Sequence, residues 1–268
     1  MFLGRVGDRN PLGMVGAEQM SLALARRFGM VPNTLGTPSP PLSANWDVEL
    51  DAARSNLTAL SILLAESFQR SEVPVTTLGR CAASLATLPV VARYRPDALV
   101  VWFDAHADSN LPSNSTSGYL GGLVLTGAAG LWETGLPSGL NLQNVVLVGA
   151  RDIDAAEHAL IDSGQLKLVK CGTGFAERLA DAIGDRPVYV HLDCDVLEPG
   201  IVPTEYLVPG GLTLEDLHMA AVTLANNELI GLEISEYQAS WSSNGIDASP
   251  EPLIDALKPL LSKLHSCN

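Results

Sequence analysis

The sequence predicts an α/β fold of three layers, α/β/α, in which helices cover both faces of a central, mostly parallel sheet. Two observations predict it. Short apolar runs recur along the chain, and segments with apolar residues at helical spacing separate them. Runs that are apolar on both faces are typical of buried parallel strands, and strands that alternate with helices indicate one doubly covered sheet. Nothing in the composition indicates a linker, so residues 1–268 are predicted to form a single domain.

The first part of the chain predicts one short strand and two helices. Only residues 1–6 can supply a strand before the first helix. Apolar residues at helical spacing predict helices over about 17–28 and 48–69. The segment between them, 32–43, is rich in proline, serine and threonine, which favours a surface loop.

The rest of the chain alternates between strands and helices. The predicted strands are Val75–Leu78, Ala98–Phe103, Val145–Val148, Val188–Leu192 and Leu229–Ile234. The predicted helices are Ala176–Ile183, Leu214–Ala225 and Glu251–Leu264. The second of these helices follows Thr213 and carries Asp216 in its first turn, which is close to a capping box. This order of elements indicates one parallel sheet that is wrapped on both sides.

Charge and composition exclude several classes of function. Lys and Arg total 16 against 30 Asp and Glu, a net charge of −14 without a basic cluster, so a nucleic-acid partner is not expected. No apolar run is long enough to span a membrane, and residues 1–5 lack a signal-peptide pattern, so we expect a cytoplasmic protein. The cysteines have no paired spacing, which argues against a zinc knuckle or a disulfide framework. They are Cys81, Cys171, Cys194 and Cys267.

Acidic residues follow four of the predicted strands, at the point where each strand ends. The acidic segments are 104–108, 151–157, 193–195 and 235–236. Because open α/β sheets bind ligands beyond the carboxyl ends of their strands, we expect these side chains to lie together along one edge. Such a concentration of negative charge is costly unless a cation neutralises it.

Two of these segments have the spacing of metal ligands. In Asp104-Ala-His106-Ala-Asp108 and Asp193-Cys-Asp195, alternate side chains lie on one side if the chain stays extended. Four carboxylates and an imidazole favour hard ions such as manganese or magnesium, and a pair of metal ions lowers the pKa of a shared water. Alone, Asp-x-Asp is also typical of a cap or turn, whereas Asp-x-His-x-Asp is a rarer pattern. His191 and Cys194 are expected to be structural.

These motifs resemble those of the ureohydrolase family, which includes arginase and agmatinase. The segment 104–108 resembles the family's Asp-Ala-His-x-Asp, and 193–199 resembles its Asp-x-Asp-x-x-Asp-Pro. The segment 231–236 resembles the one whose glutamate contacts the guanidinium group. The resemblance implies an arginase-like sheet of about eight strands, two Mn²⁺ ions, and an amidinohydrolase that adds water to a guanidino carbon.

The resemblance also implies individual roles. The metal ligands would be Cys81, Asp104, His106, Asp108, Asp193 and Asp195. The catalytic residues would be Asp108, which carries a proton, and Glu236, which holds the guanidinium group. The substrate contacts would be Asn110, Ser117, Asp154, Glu157 and Glu236. This set favours a guanidino amino acid over a plain amine such as agmatine.

Three segments depart from the family pattern. Cys81 stands where the family has a ligand histidine, although a merely buried cysteine is the alternative. Gly121 stands where arginases have a histidine that passes a proton to the leaving amine. The loop 203–209 lacks the usual Thr-Gly-Thr-Pro.

These departures are similar to those of the branch that hydrolyses Nω-hydroxy-L-arginine to hydroxyurea and L-ornithine in D-cycloserine biosynthesis. The expected function is therefore hydroxyarginine hydrolysis for antibiotic biosynthesis. One alternative is a conventional arginase or another ureohydrolase. An alternative of another class is a degenerate, non-catalytic arginase-like binding protein. The family also implies a homo-oligomer, a trimer or a hexamer.

Overall fold

The computed structural model describes residues 1–242 and 245–266, so Cys267 lies outside the described residues. The helices are Leu12–Phe28 (α1), Trp46–Gln69 (α2), Ser84–Tyr94 (α3), Val124–Ala129 (α4), Ala155–Asp162 (α5), Phe175–Ile183 (α6), Leu214–Leu224 (α7), Glu251–Ala256 (α8) and Lys258–Ser266 (α9). The strands are Val75–Thr77 (β1), Leu99–Phe103 (β2), Val145–Val148 (β3), Lys167–Val169 (β4), Val188–Asp193 (β5) and Leu229–Ser235 (β6). Short 3₁₀ turns span Cys81–Ala83, Gly121–Leu123, Leu142–Asn144 and Cys194–Val196.

The strands form one parallel sheet in the order β1-β6-β5-β2-β3-β4. It has six strands, so the expected count of about eight was wrong. The reason lies outside β1, where Phe2 makes a parallel bridge to Leu78 and a second one to Leu35. Where the sequence predicted a strand at residues 1–6, the structure has these two bridges at Phe2. Phe2 and Leu35 continue the sheet beyond β1 as isolated bridges, which are too short to count as strands.

A hydrophobic core lies on each face of the sheet, as the three-layer prediction requires. In β2, Leu99, Val101 and Phe103 pack into one core, whereas Val100 and Trp102 pack into the other. The first core includes buried residues of α1, α6, α7, α8 and α9. The second includes buried residues of α2, α3 and α4. Burial on both faces explains why β2 and β3 are apolar at every position.

Several elements differ from the sequence prediction. The helix expected over Glu251–Leu264 is two helices, α8 and α9, separated at Leu257. The prediction also lacked β4 and the helices α3, α4 and α5. Helix α3 is buried along most of its length, so its apolar residues do not recur at helical spacing. It also contains Pro89, a residue that normally indicates the end of a helix.

Among the described residues, no helix combines the length and apolarity that a membrane span requires.

Candidate active site

The ends of four adjacent strands meet at one cavity of about 250 Å³. Cys81 follows β1, Asp108 follows β2, Asp193 ends β5 and Glu236 follows β6, and all four side chains line this cavity. Residues that follow β3, among them Asp154 and Glu157, complete the wall. The acids predicted to share an edge of the sheet therefore do so, because parallel strands bring their carboxyl ends together.

One group of possible metal ligands joins the segments after β2 and β5. One ligand atom each from Asp104, His106 and Asp195 lie within 4.8 Å of one another. His106 Nδ1 is 3.2 Å from Asp104 Oδ1 and 3.2 Å from Asp195 Oδ2. Burial alone would lower the pKa of His106, but hydrogen bonds to the two carboxylates raise it to about 12. The two carboxylates thus favour a positive charge at this position. The same negative potential would attract a metal cation.

A second group joins the segments after β1, β5 and β6. Cys81, Asp193 and Glu236 are all buried, and one ligand atom from each lies within 4.8 Å of the others. Burial and the nearby carboxylates raise the pKa of Cys81 and of Asp193 well above their usual values. Burial raises the pKa of Glu236 to about 7, against the opposing influence of Arg80.

Asp108 belongs to neither group, although it borders the same cavity. It is buried, and its Oδ2 has no hydrogen-bond partner among the described residues. Its φ is +45°, so the chain does not stay extended from Asp104 to Asp108 as the spacing argument assumed. After β5 the chain likewise turns, in the 3₁₀ segment Cys194–Val196, and Asp195 N donates to Asp193 Oδ1 at 2.9 Å.

The arrangement fits a pair of divalent cations. The carboxylates of Asp104, Asp108 and Asp193 are all buried together, and their pKa values are raised first by burial and then by neighbouring acids. Such a cluster is unfavourable as anions without a compensating cation. A donor set of carboxylates, one imidazole and one thiol holds hard divalent ions, with the thiol as the softer member.

A buried arginine holds Glu236 from behind the cavity. Arg80 Nη1 donates to Glu236 Oε2 at 2.8 Å, and Cys81 N donates to Glu236 Oε1 at 3.0 Å. The guanidinium of Arg80 also pairs with Asp8, at 3.2 Å, and with Glu205. Glu236 has a backbone φ of +61°, a conformation that residues other than glycine rarely adopt. Sequence reasoning did not identify Arg80, because its partners lie far apart along the chain.

The residues predicted to contact the amino-acid end of a substrate also border the cavity. Asn110 Nδ2 donates to Asp154 Oδ2 at 2.7 Å, and both side chains border the cavity with Ser117 and Glu157. Glu157 accepts from Ser109 N at 2.8 Å and from Asp154 N at 2.9 Å, so it also fastens the start of α5 to the loop after β2. The structure brings these residues together, and their contact with substrate stays a prediction.

A row of rings borders the cavity. Tyr206 lies edge-on to His106 with ring centroids 5.3 Å apart, and it lies 5.9 Å from the ring of Tyr119. The guanidinium of Arg9 stacks on Tyr119 at 4.9 Å from the ring centroid. Burial raises the pKa of Tyr119 well above its usual value, so the phenol is protonated. Neither tyrosine was identified from the sequence, since an isolated tyrosine in a loop carries no motif.

Two residues expected to be structural lie in the core. His191 is fully buried, donates from Nδ1 to Glu233 Oε1 at 2.7 Å, and stacks on Trp102 with ring centroids 3.5 Å apart. Cys194 packs in the core beneath the site. Arg151 donates to five backbone carbonyls rather than pairing with Asp152, and so fixes the loop after β5.

Comparison with known proteins agrees with this geometry. A model described as the arginase family matches residues 42–249. The chain is 39% identical over 256 residues to an N(omega)-hydroxy-L-arginine amidinohydrolase of Streptomyces lavendulae, covering 96% of this chain and 94% of that protein. It is 30% identical over 192 residues to an arginase of Glaciozyma antarctica (strain PI12), covering 64% of this chain and 56% of the relative.

Solved structures show the same fold at lower identity. An arginase from Bacillus subtilis subsp. subtilis str. 168 superposes with a TM-score of 0.80 at 21% identity, covering 98% of this chain and 96% of that one. An arginase from Bacillus caldovelox superposes with a TM-score of 0.79 at 22% identity, covering 98% and 95%.

Proposed function

Because the chain belongs to the arginase family, with a family match over residues 42–249, we propose that it hydrolyses Nω-hydroxy-L-arginine to hydroxyurea and L-ornithine. The family makes it a hydrolase of guanidino C–N bonds. The observation that carries the choice of substrate is the 39% identity, over 96% of this chain, to a relative named for that reaction. By the same likeness, we propose a place in antibiotic biosynthesis of the D-cycloserine type.

The cavity supports a reaction at the guanidino end of an amino acid. Glu236 follows β6, Asn110 and Ser117 lie in the segment after β2, and Asp154 and Glu157 follow β3; all five border the cavity. We propose that Glu236 orients the guanidino group and that the other four hold the amino-acid end. Contacts at both ends of the substrate would hold its guanidino carbon in line with the attacking water, which lowers the entropic part of the barrier.

The residues proposed to hold two Mn²⁺ ions are Cys81, Asp104, His106, Asp108, Asp193 and Asp195. When bound, the ions would supply a water of near-neutral pKa as the nucleophile. The unpartnered Oδ2 of Asp108 is the proposed carrier of a proton toward the departing amine. In the overall reaction the C–N bond to ornithine breaks, and the amine leaves with that proton.

Three finer features are part of the same proposal. Residues 1–268 act as one ureohydrolase domain, and the chain works in the cytoplasm. It assembles as a homo-oligomer, a trimer or a hexamer, as is common in the family. Neither nucleic acid nor a membrane is proposed as a partner.

Steady-state kinetics of the manganese-loaded protein tests the proposal. We expect hydroxyurea and ornithine from hydroxyarginine, with kcat/KM at least about tenfold above that for L-arginine, because a site built for a substrate hydroxyl rejects an analogue without it. A preference for arginine would contradict the choice of substrate and leave a conventional arginase.

A metal-ligand variant provides the control. Asp193→Asn removes a predicted ligand and is expected to lose bound manganese in elemental analysis together with hydrolysis. Asp185→Asn makes the same chemical change at an exposed position and is expected to retain both. Equal manganese content in the two variants would show that Asp193 is not a ligand.

A further inference from the structure

Tyr119 occupies the space above Gly121. A Cβ atom built on Gly121 would lie 2.4 Å from Tyr119 Cε1 and 3.0 Å from Cδ1. The same position is 3.1 Å from Cys81 Sγ, so the ring and the thiol border one space. A side chain at position 121 and the ring of Tyr119 in this position therefore exclude each other.

The hydroxyl group of Tyr119 is buried at the wall of the cavity. Its oxygen is buried, and it makes no hydrogen bond with any residue that the structure describes, although Tyr119 borders the cavity. A buried hydroxyl without a partner is unfavourable, because it has lost its hydrogen bonds to water. Such a group at the wall of a ligand cavity indicates that the ligand supplies the partner.

Tyr119 lies at the end of the cavity where the proposed metal ligands are. A Cβ at position 121 would touch both its ring and Cys81 Sγ, and the Tyr206 ring beside it lies edge-on to His106. The stacked Arg9 and the neighbouring Tyr206 ring hold the aromatic ring in place. Because the proposed metal ligands border the reacting carbon, the phenol is close to the guanidino end of a substrate bound as proposed.

We propose that Tyr119 determines substrate specificity by donating a hydrogen bond from its hydroxyl to the N-hydroxyl oxygen of the substrate. This inference rests on the proposed function and names the residue that reads the hydroxyl group. A guanidinium group carries only N–H donors, so arginine leaves the phenol proton unsatisfied. A hydroxyguanidine supplies the missing acceptor. Sites built this way discriminate strongly, because the analogue leaves a buried polar group unpaired.

Removal of the hydroxyl alone is the first test. Tyr119→Phe keeps the ring and is expected to lower kcat/KM for hydroxyarginine about 10- to 100-fold, the loss of one buried hydrogen bond. The value for arginine should stay within about twofold, because that substrate never used the contact. Tyr237→Phe is the matched control, since Tyr237 also has a buried hydroxyl without a described partner but is not among the residues lining the cavity.

Displacement of the ring is the second test, and it leaves Tyr119 itself unchanged. Gly121→Ala places a Cβ against the ring and is expected to lower the ratio of the two kcat/KM values toward that of Tyr119→Phe. Gly122 borders the same cavity, but a Cβ there would meet no atom within 4 Å and so would not touch the ring of Tyr119; Gly122→Ala is therefore expected to leave the ratio unchanged. Equal ratios in the two alanine variants would overturn the proposal.

Binding without turnover separates the two hypotheses. Calorimetry on the manganese-loaded protein should give a lower Kd for hydroxyurea than for urea, since neither product is hydrolysed and they differ by the same hydroxyl group, and Tyr119→Phe should abolish the difference. If the wild-type protein does not prefer hydroxyarginine in kinetics, the proposed function is wrong. If it does, and Tyr119→Phe keeps the preference in both kinetics and binding, the role of Tyr119 is wrong and the function stands.

Discussion

At the scale of single residues, Arg80 is the cation that makes the buried acids behind the cavity tolerable. Its side chain is completely buried and contacts Asp8, Glu205 and Glu236. These acids come from the N-terminal loop, the loop after β5 and the end of β6. One guanidinium therefore joins three segments that are distant in sequence, and it holds the carboxylate proposed to orient the substrate.

Loss of this cation should destabilise the protein strongly. Arg80→Met keeps much of the side-chain volume but leaves buried carboxylates without a partner, and we expect a loss of about 3–5 kcal/mol in the free energy of unfolding. Urea denaturation measures it. Arg26→Met, at an exposed position in the last turn of α1, should change stability by less than about 0.5 kcal/mol. Similar midpoints for both variants would show that the Arg80 pairs contribute little.

At the scale of elements, α1 fixes the segment that carries Glu236. Gly16 of α1 lies so close to the chain after β6 that a Cβ there would be 1.9 Å from Tyr237 O. Ala239 N donates to Leu12 O at 3.1 Å, which ties the same segment to the start of the helix. The absence of a side chain at position 16 thus lets a helix pack directly on the backbone next to the site.

Because of this contact, we expect a glycine-to-alanine substitution in α1 to have the opposite of its usual effect on stability. Gly→Ala normally stabilises a helix interior by about 1 kcal/mol. Gly16→Ala should instead destabilise the protein, because the obstacle is backbone that has little freedom to move. Thermal unfolding measures the sign. Leu22→Ala, on the exposed face of α1, serves as the control and should have a small effect. A rise in Tm for Gly16→Ala would mean that α1 can shift without cost.

Among the strands, the sequence predicted most clearly those that are buried on both faces. The strands β2, β3, β5 and β6 are central in the sheet and buried on both faces, so each has a mostly apolar run. By contrast, β4 has three residues at the sheet edge, and its Lys167 is exposed. Within the site, the acids at strand ends were predictable because topology alone brings them together. The positions of Arg80 and Tyr119 depend on loops, which have no period to detect.

At the scale of the whole molecule, the acidic cluster links metal binding to folding. The candidate ligands come from segments after β1, β2 and β5, which converge only in the folded chain. An ion that binds this arrangement and not the unfolded chain stabilises the fold by mass action. The metal-free protein carries the repulsion among these acids without compensation.

Manganese should therefore raise the unfolding temperature. At a free concentration 100 times Kd, the expected stabilisation is about 2.7 kcal/mol for one site, and a chelator should reverse it. Differential scanning calorimetry at several manganese concentrations measures the dependence. Asp193→Asn should weaken it and the exposed Asp185→Asn should not. A melting temperature independent of manganese would refute metal binding at this site.

The mutual exclusion between the ring of Tyr119 and any side chain at position 121 has an evolutionary consequence. A side chain introduced at position 121 alone would collide with the ring of Tyr119, and a small residue introduced at position 119 alone would leave the space of the ring empty. We therefore expect each single variant to be less active than both the present protein and the double variant. The two positions are therefore epistatic, and their effects on selectivity should not add. Libraries that vary one position at a time would miss the path to arginine turnover. Libraries that randomise both positions together sample it directly.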